Sequence, residues 1–446
     1  MIELTGKYTN AKIMIDDVEQ QCIAQITGFL NHHAFTNPVA IMPDCHAGKG
    51  SCIGFTMEMT PEIIPNIVGV DINCGMLSFC IGKNLKVSPE ELDKQIRNQV
   101  PFGMRMNNNA VLNMKRDFPW SRITALAEKL TMAYMTKFGI RIEPPQYTYE
   151  WFLERYKAMG ANMTRVINSI SSLGGGNHFI ELGIDESGSH WVTIHTGSRN
   201  LGKIVCEHWQ RVAVERMGTD RRDKLSKEIK EIREKYPSQD ISDKIKEAKN
   251  KLHLGDNISL KGSEWLEGQD AAGYLFDMIF CQTYADVNRE YIARTIKKIL
   301  GVDEEEDKIQ TCHNFIDFED FMIRKGAIRS YEGERIVIPF NMQAGLLICE
   351  GKSNPEWNYS GPHGAGRIMS RGVAKRDLDL DRFKDQMKDI YSTSVGTSTL
   401  DEAPDAYKDP KIIEDAIGPT ATILKRVKPI LNMKDATEHK SWKERK

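Results

Sequence analysis

No stretch of about 18 uncharged apolar residues occurs in the chain, so nothing in it predicts a membrane span. The opening segment MIELTGKYTNAKIMIDD is polar and lacks the apolar core of a secretory signal. Net charge is nearly absent: 60 Lys and Arg stand against 62 Asp and Glu. That balance excludes a globally basic nucleic-acid coat and leaves room for a local basic groove. Tightly paired cysteines are also missing. Nine scattered cysteines, an odd number, predict free thiols in a reducing cytoplasm. No glycine-rich segment has the spacing of a P-loop, which excludes a Walker nucleotide site. What the chain does have is length. Its 446 residues, 40% hydrophobic, suffice for a large core in one or two domains.

Chemistry-bearing residues cluster where glycines interrupt apolar segments. In Val68-Gly-Val-Asp71-Ile-Asn-Cys74-Gly-Met76, Val68 and Val70 read as the end of a buried strand. Gly69, Asn73 and Gly75 supply the φ freedom for a tight turn leaving it. Asp71 and Cys74 then reach one small cation together, although alone a turn with an inert small cysteine is the simpler reading. Earlier, Ala40-Ile-Met-Pro-Asp44-Cys45-His46-Ala-Gly-Lys-Gly50 runs from an apolar strand into a glycine-rich loop. There Asp44 and His46 read first as a hydrogen-bonded pair that fixes the loop.

Downstream histidines change the weight of these signals. Ser172-Leu-Gly-Gly-Gly176-Asn177-His178-Phe-Ile-Glu181 leads three glycines into a strand with Asn177, His178 and Glu181 at its mouth. A second strand, WVTIH, ends at His195, and TGSRNLG turns into a helix. A helix N-terminus carrying Ser198 and Arg199 suits an oxyanion or phosphate. Thr311-Cys-His313-Asn gives a third histidine at a strand end, followed by a basic turn at Arg324-Lys-Gly-Ala327. Tyr359-Ser-Gly-Pro-His363-Gly-Ala-Gly366-Arg367-Ile-Met-Ser-Arg371 holds a histidine among glycines. Gly364 and Gly366 leave room there for a bulky ligand, and Arg367 and Arg371, one helical turn apart, suit phosphate.

The remaining segments read as scaffold. Residues 84–170 are mainly helical, with breaks at Pro101, Pro119 and Pro144-Pro145. From 220 to 253, Leu225, Ile229, Ile232 and Tyr236, then Ile241, Ile245, Ala248 and Leu252, repeat at helical spacing among charged residues. That pattern predicts an amphipathic helical hairpin with solvated faces. Residues 270–300 form a helix whose Tyr274, Met278, Tyr284 and Ile292 belong to a core.

The candidate ligands Asp71, Cys74, His178, His195 and His313 are one carboxylate, one thiolate and three imidazoles. A structural Cys₂His₂ zinc site lacks its second cysteine. Mn²⁺, Fe²⁺ or Co²⁺ suits the set equally, and five ligands leave room for two ions sharing Cys74. His363 is left over in a phosphate-friendly loop, where an imidazole nitrogen can attack a nucleotide α-phosphate.

PDCHAGKG, VGVDINCGM, GGGNHFIE, HTGSRNLG, CHN, RKGA, HGAGR with its MSR, and DEAPDAYKD occur here in the order seen in RtcB-type RNA ligases, from about residue 40 to 434. The chain resembles that family. The resemblance implies an RtcB-like α/β fold with a mixed-sheet core, as a single catalytic domain over 1–434 with the hairpin inserted and a charged tail over 435–446. It implies a cytoplasmic, monomeric enzyme that joins RNA 3′-phosphate or 2′,3′-cyclic phosphate ends to 5′-hydroxyl ends, in RNA repair or tRNA splicing, using GTP and two Mn²⁺ ions. By position, Cys74 resembles the thiolate bridging both ions, with Asp71 and His178 on one and His195 and His313 on the other. His363 matches the histidine that becomes guanylylated, with Gly364 and Gly366 beside it. Asn177, Glu181, Tyr407 and Lys434 match guanylate-holding positions, Tyr407 by stacking and Lys434 by contact with the base. Arg199 and Arg371 resemble groups near RNA phosphate.

The chain departs from the family at Pro362, where Ser is usual, and at Phe340-Asn-Met-Gln-Ala-Gly345, where Gly-Ser-Met-Gly is common. In the family that loop lies near the triphosphate, which bears on nucleotide affinity or preference. Two competing readings are a metal-dependent RNA-end phosphoesterase or cyclic-phosphate hydrolase without sealing activity, and a non-catalytic RNA-binding scaffold. Retention of His363, both arginines and Lys434 favours the ligase.

Overall fold

The computed structural model describes residues 1–217, 221–237, 240–251 and 262–437. Most of the expected tail, and Leu252 with parts of the hairpin, lie outside the described residues.

In chain order the strands are β1 (Ile2–Thr5), β2 (Asn10–Ile13), β3 (Val39–His46), β4 (Ile53–Glu58), β5 (Gly75–Gly82), β6 (Phe179–Ile184) and β7 (His190–Thr196). They continue with β8 (Asp307–Cys312), β9 (Asn314–Ile316), β10 (Met322–Lys325), β11 (Ala327–Arg329) and β12 (Arg335–Pro339). The last are β13 (Leu346–Gly351), β14 (Ser360–Pro362) and β15 (Ala421–Met433). One sheet runs β1-β2-β3-β4-β10-β9, a larger one β12-β13-β15-β6-β7-β5-β8, and β11 pairs with β14. Among the described strands only β2 and β3 pair in parallel. The mixed helix-and-sheet class matches the expectation, with antiparallel pairing dominant.

A helix over Gly268–Leu300 joins the two large sheets. At 33 residues it is about 50 Å long. From Ala271 to Ala285 it is buried nearly all round, because helices and sheets cover it on several sides. Tyr274, Met278, Tyr284 and Ile292 are fully buried, as their spacing predicts. In its middle sits Arg289, also fully buried, which donates to the carbonyls of Asn73 at 2.7 Å and Thr196 at 2.8 Å. One guanidinium thereby ties the Asp71–Cys74 turn to the end of β7. Buried charge is tolerated there because Asp286 pairs with it at 2.7 Å.

Three local expectations are corrected. Val68 closes a short helix, Pro65–Val68, and Val70 is 47% exposed. Proline fixes the first helical φ and Gly69, at φ 85°, ends the helix. The turn thus leads into β5 rather than out of a strand. Arg324 and Lys325 are not a basic turn but the buried end of β10. Arg324 is neutralised by Asp317 and Asp320, while Lys325 Nζ donates to the Val68 carbonyl at 2.9 Å. Arg367 and Arg371 do not share a helix, since that helix begins at Arg371.

The charged segment forms helices over Arg221–Lys235 and Ile241–Lys251, and Ile232 and Ala248 are buried. This agrees with the expected amphipathic hairpin.

Candidate functional site

Antiparallel pairing brings the histidines together. β5 lies between β7 and β8, and Met76 pairs with His195 on one side and Thr311 on the other. The turn before β5 therefore stands beside the ends of β7 and β8, where His195 and His313 sit. His178 enters from the start of β6, next along the sheet.

Cys74 Sγ lies 3.1 Å from His195 Nε2 and 3.4 Å from His178 Nε2. His195 Nε2 is 3.4 Å from His313 Nε2, and His178 Nε2 is 2.8 Å from Asp71 Oδ2. Two donor sets result, Cys74-His195-His313 and Asp71-Cys74-His178, with Cys74 in both. The donor set fits cations. His178 Nδ1 lies 2.9 Å from the Leu173 carbonyl, which only an N–H can satisfy. Nε2 faces a carboxylate oxygen and a sulfur, so a positive charge belongs between them, either a proton or a cation in its place.

Burial sets the protonation of this cluster. It pushes His195 and His313 well below the usual imidazole range, helped by neighbouring rings, so both rings are neutral. Burial also drives the Cys74 thiol up, and the Asp71 carboxylate adds to that. For Asp71 burial acts upward, but His178 outweighs it and holds the carboxyl at about 2. A cation at Cys74 would reverse the penalty on the thiolate.

His363 follows β14 and faces the same cavity. Its Nδ1 lies 2.6 Å from Asp44 Oδ2, and its backbone N–H donates to that oxygen at 3.1 Å. Asp44 is fully buried at the end of β3, 319 residues away in sequence. The sequence reading paired Asp44 with His46. Instead His46 Nδ1 meets only the Asp44 backbone carbonyl, at 3.0 Å, and the carboxylate belongs to His363. Gly366 corrects a second expectation. At φ 77° its missing Cβ would lie 2.2 Å from the Asp44 carbonyl oxygen, so this glycine makes room for β3 rather than for a ligand. Pro362 is accommodated on β14, where it pairs with Ala327.

A cavity of about 300 Å³ connects these groups. His195, His313 and His363 stand in its wall together with Glu181, Tyr407 and Lys434. Asn177 and Gly364 also line it. Glu402, which the sequence reading passed over within its DEAPDAYKD motif, organises the far side. It accepts from Lys434 Nζ at 2.8 Å and from the Tyr407 hydroxyl at 2.8 Å, and also pairs with Arg371. Burial acts to raise Glu402, but Lys434 and Arg371 prevail and hold it at about 2. The Arg367 guanidinium stacks 5.0 Å from the Tyr407 ring centroid. The loop Phe340–Gly345 borders the cavity, and its Asn341 side chain bonds to the loop's own backbone. Asn341 Oδ1 accepts from the N–H groups of Gln343 and Ala344 at 3.0 and 2.8 Å.

A groove of about 800 Å³ lies on the other side of Cys74, lined by Asp71, His178, Arg199, Lys203, Arg371 and Lys375 among others. Arg199 is held by Ser172 Oγ at 3.0 Å and the Gly103 carbonyl at 2.8 Å. Ser198 is fully buried and does not offer its hydroxyl to the groove, contrary to the expected anion site.

Glu181 carries a measurable consequence. Burial pushes its carboxyl up to about 8, against the Asn432 amide and Lys434. Between the ordinary range near ~4.3 and that value, the folded protein keeps a proton the unfolded chain has released. Stability therefore falls as pH rises through this window, by an amount on the order of a few kcal/mol. Glu181→Gln is expected to flatten the decline, as read by denaturant midpoints of metal-free protein from pH 5 to 8. An unchanged slope would refute it.

Among the described residues no helix is long and apolar enough to cross a membrane. Comparison with known proteins identifies relatives. The family model described as tRNA-splicing ligase RtcB matches residues 25–435. The RNA-splicing ligase RtcB of Escherichia coli is 28% identical over 401 residues, covering 83% of each chain. The tRNA-splicing ligase RtcB of Archaeoglobus fulgidus is 26% identical, covering 90% of this chain and 88% of its own. That of Methanococcus maripaludis is 24% identical over 96% of this chain and 94% of its own. With a match spanning nearly its whole length, this chain belongs to the RtcB family of RNA ligases.

Proposed function

We propose that this protein joins RNA 3′-phosphate or 2′,3′-cyclic phosphate ends to 5′-hydroxyl ends, with GTP as energy donor and His363 as covalent carrier. The observation that carries the reading is the shared cavity. An imidazole held by a buried carboxylate shares it with the neutral rings of His195 and His313 and with Tyr407, Lys434 and Glu181.

With Nδ1 donating to Asp44, His363 Nε2 keeps its lone pair and is the nucleophile. It attacks the α-phosphate of GTP, the N–P bond forms, and pyrophosphate leaves. Asp44 stabilises the positive ring that results. Tyr407 stacks on the guanine while Lys434 and Glu181 meet its edge, and Asn177 and Gly364 border the α-phosphate. Asp71, Cys74 and His178 on one side, and Cys74, His195 and His313 on the other, would hold manganese, which would neutralise charge at the phosphate oxygens. A cyclic end is first hydrolysed to the 3′-phosphate. An oxygen of that phosphate then takes the guanylyl group from His363 as the N–P bond breaks. The 5′-hydroxyl attacks the activated 3′-phosphorus, forming the phosphodiester and releasing GMP. Arg199 and Arg371, with the lysines of the groove, hold the RNA backbone.

Incubation with α-labelled GTP and Mn²⁺, followed by a denaturing gel, tests the reading. Acid-labile, alkali-stable label is expected on the wild-type protein and none on His363→Ala. Equal labelling of the two would remove His363 from the mechanism, and absence of label on wild type would remove guanylylation altogether.

A further inference from the structure

One wall of the cavity holds two buried oxygen atoms that meet no hydrogen-bond donor, Glu181 Oε1 and Asn432 Oδ1. The two residues are direct cross-strand partners in the β6–β15 pair. Asn432 Nδ2 donates to Glu181 Oε2 at 2.8 Å. Glu181 is 3% exposed and Asn432 2%, so bulk water does not satisfy the free oxygens. Strand alternation separates them from the packing face: the neighbours Leu431 and Met433 enter the apolar cluster of Ile180 and Leu182. Asn432 and Glu181 therefore project together toward the cavity.

Unpaired buried acceptors are costly, and two side by side on a cavity wall are complementary to a ligand edge bearing two adjacent N–H donors. Once a ligand N–H meets Oε1, Glu181 is ionised and accepts only, so Nδ2 must face its other oxygen, as the 2.8 Å contact has it. Oδ1 is consequently presented outward as an acceptor. Guanine offers N1–H and a 2-amino group side by side. Adenine offers an acceptor at N1, which would face a carboxylate. Inosine keeps N1–H and lacks the amine.

We propose that Asn432 is a specificity-determining residue for the nucleotide: its Oδ1 accepts an N–H of the guanine 2-amino group while Glu181 Oε1 accepts N1–H. This assignment rests on the guanylate reading above and adds the amide to it. No feature of the sequence spacing pointed to Asn432, which stands two residues before Lys434 on β15.

The test compares labelling rates with α-labelled GTP and α-labelled ITP, at varied nucleotide concentration, for wild type, Asn432→Ala and Asn432→Leu. Wild type is expected to favour GTP by about 10-fold or more in kcat/KM, and the ratio should fall toward unity in both variants. Each ratio is measured within one protein, so partial misfolding or a displaced Glu181 cancels. A wild type indifferent to the 2-amino group overturns the proposal without any variant. Variants that lose GTP and ITP equally also overturn it, by reducing Asn432 to a support for Glu181. Wild type labelled by neither nucleotide would overturn the guanylylation reading itself, an outcome distinct from both.

Discussion

Asp44→Asn is expected to slow formation of the His363–GMP bond by about 10²–10⁴-fold at saturating GTP, with little change in the GTP concentration needed for half-maximal rate. The side chain is fully buried, and its Oδ2 receives both the ring Nδ1 and the backbone N–H of His363. Asparagine preserves volume but presents a neutral amide. It neither stabilises the ring's developing positive charge nor enforces the tautomer with Nε2 bare. Because Asp44 does not line the cavity, nucleotide contacts remain. Single-turnover labelling gives the rate directly. A rate within about threefold of wild type would show that His363 needs no carboxylate partner, and a change confined to KM would move Asp44 to ground-state binding.

Cys74→Ala is expected to empty both cation sites and abolish guanylylation and sealing together. Its sulfur is the one atom common to both donor sets. Without it, His195 and His313 are two neutral imidazoles, and Asp71 and His178 a two-donor remnant. Loss of a shared anionic ligand should exceed the roughly 10–100-fold cost of altering an outer-sphere partner. Metal analysis after loading with Mn²⁺ and desalting should find two ions per wild-type chain and per His363→Ala chain, and none in Cys74→Ala. Two ions retained in Cys74→Ala would end the bridging role. One retained ion would assign Cys74 to a single site.

The two experiments probe different parts of one cavity. In the proposed mechanism Asp44 acts on the nucleophile through a direct contact from the end of β3. Cys74 would act through charge, since burial disfavours its thiolate unless cations lie beside it. A hydrolase that had lost sealing would share the Cys74 result and would have no use for the Asp44–His363 pair. Loss of labelling in both variants, with metal loss in only one, is the pattern specific to a histidine-linked intermediate.

Residue type and local spacing made the ligand chemistry legible. Histidines at strand ends beside glycines, and a carboxylate and thiol in one turn, are poor core material whatever the topology. The same local logic gave β6, β7, the amphipathic hairpin and the buried helix over Gly268–Leu300, because 2.0 and 3.6 periodicities are properties of adjacent residues. It failed at Val68–Val70, where Pro65 and Gly69 outweighed the β-branched residues, and at Arg324-Lys325, where carboxylates from the preceding loop and a distant carbonyl pair the cations.

The sequence by itself therefore determined which atoms were available: a thiol, carboxylates, imidazoles and a stacking tyrosine, with a family order that named their use. Only the tertiary structure decided which of them meet. Asp44 reaches His363 across 319 residues, Glu402 gathers Lys434, Tyr407 and Arg371, and Asn432 stands opposite Glu181 across a strand pair. None of these follows from spacing, since sheet register and close approach at glycines such as Gly366 set them. A side chain's charge and tautomer depend on those distant neighbours, as the Asp44 carboxylate on His363 Nδ1 illustrates.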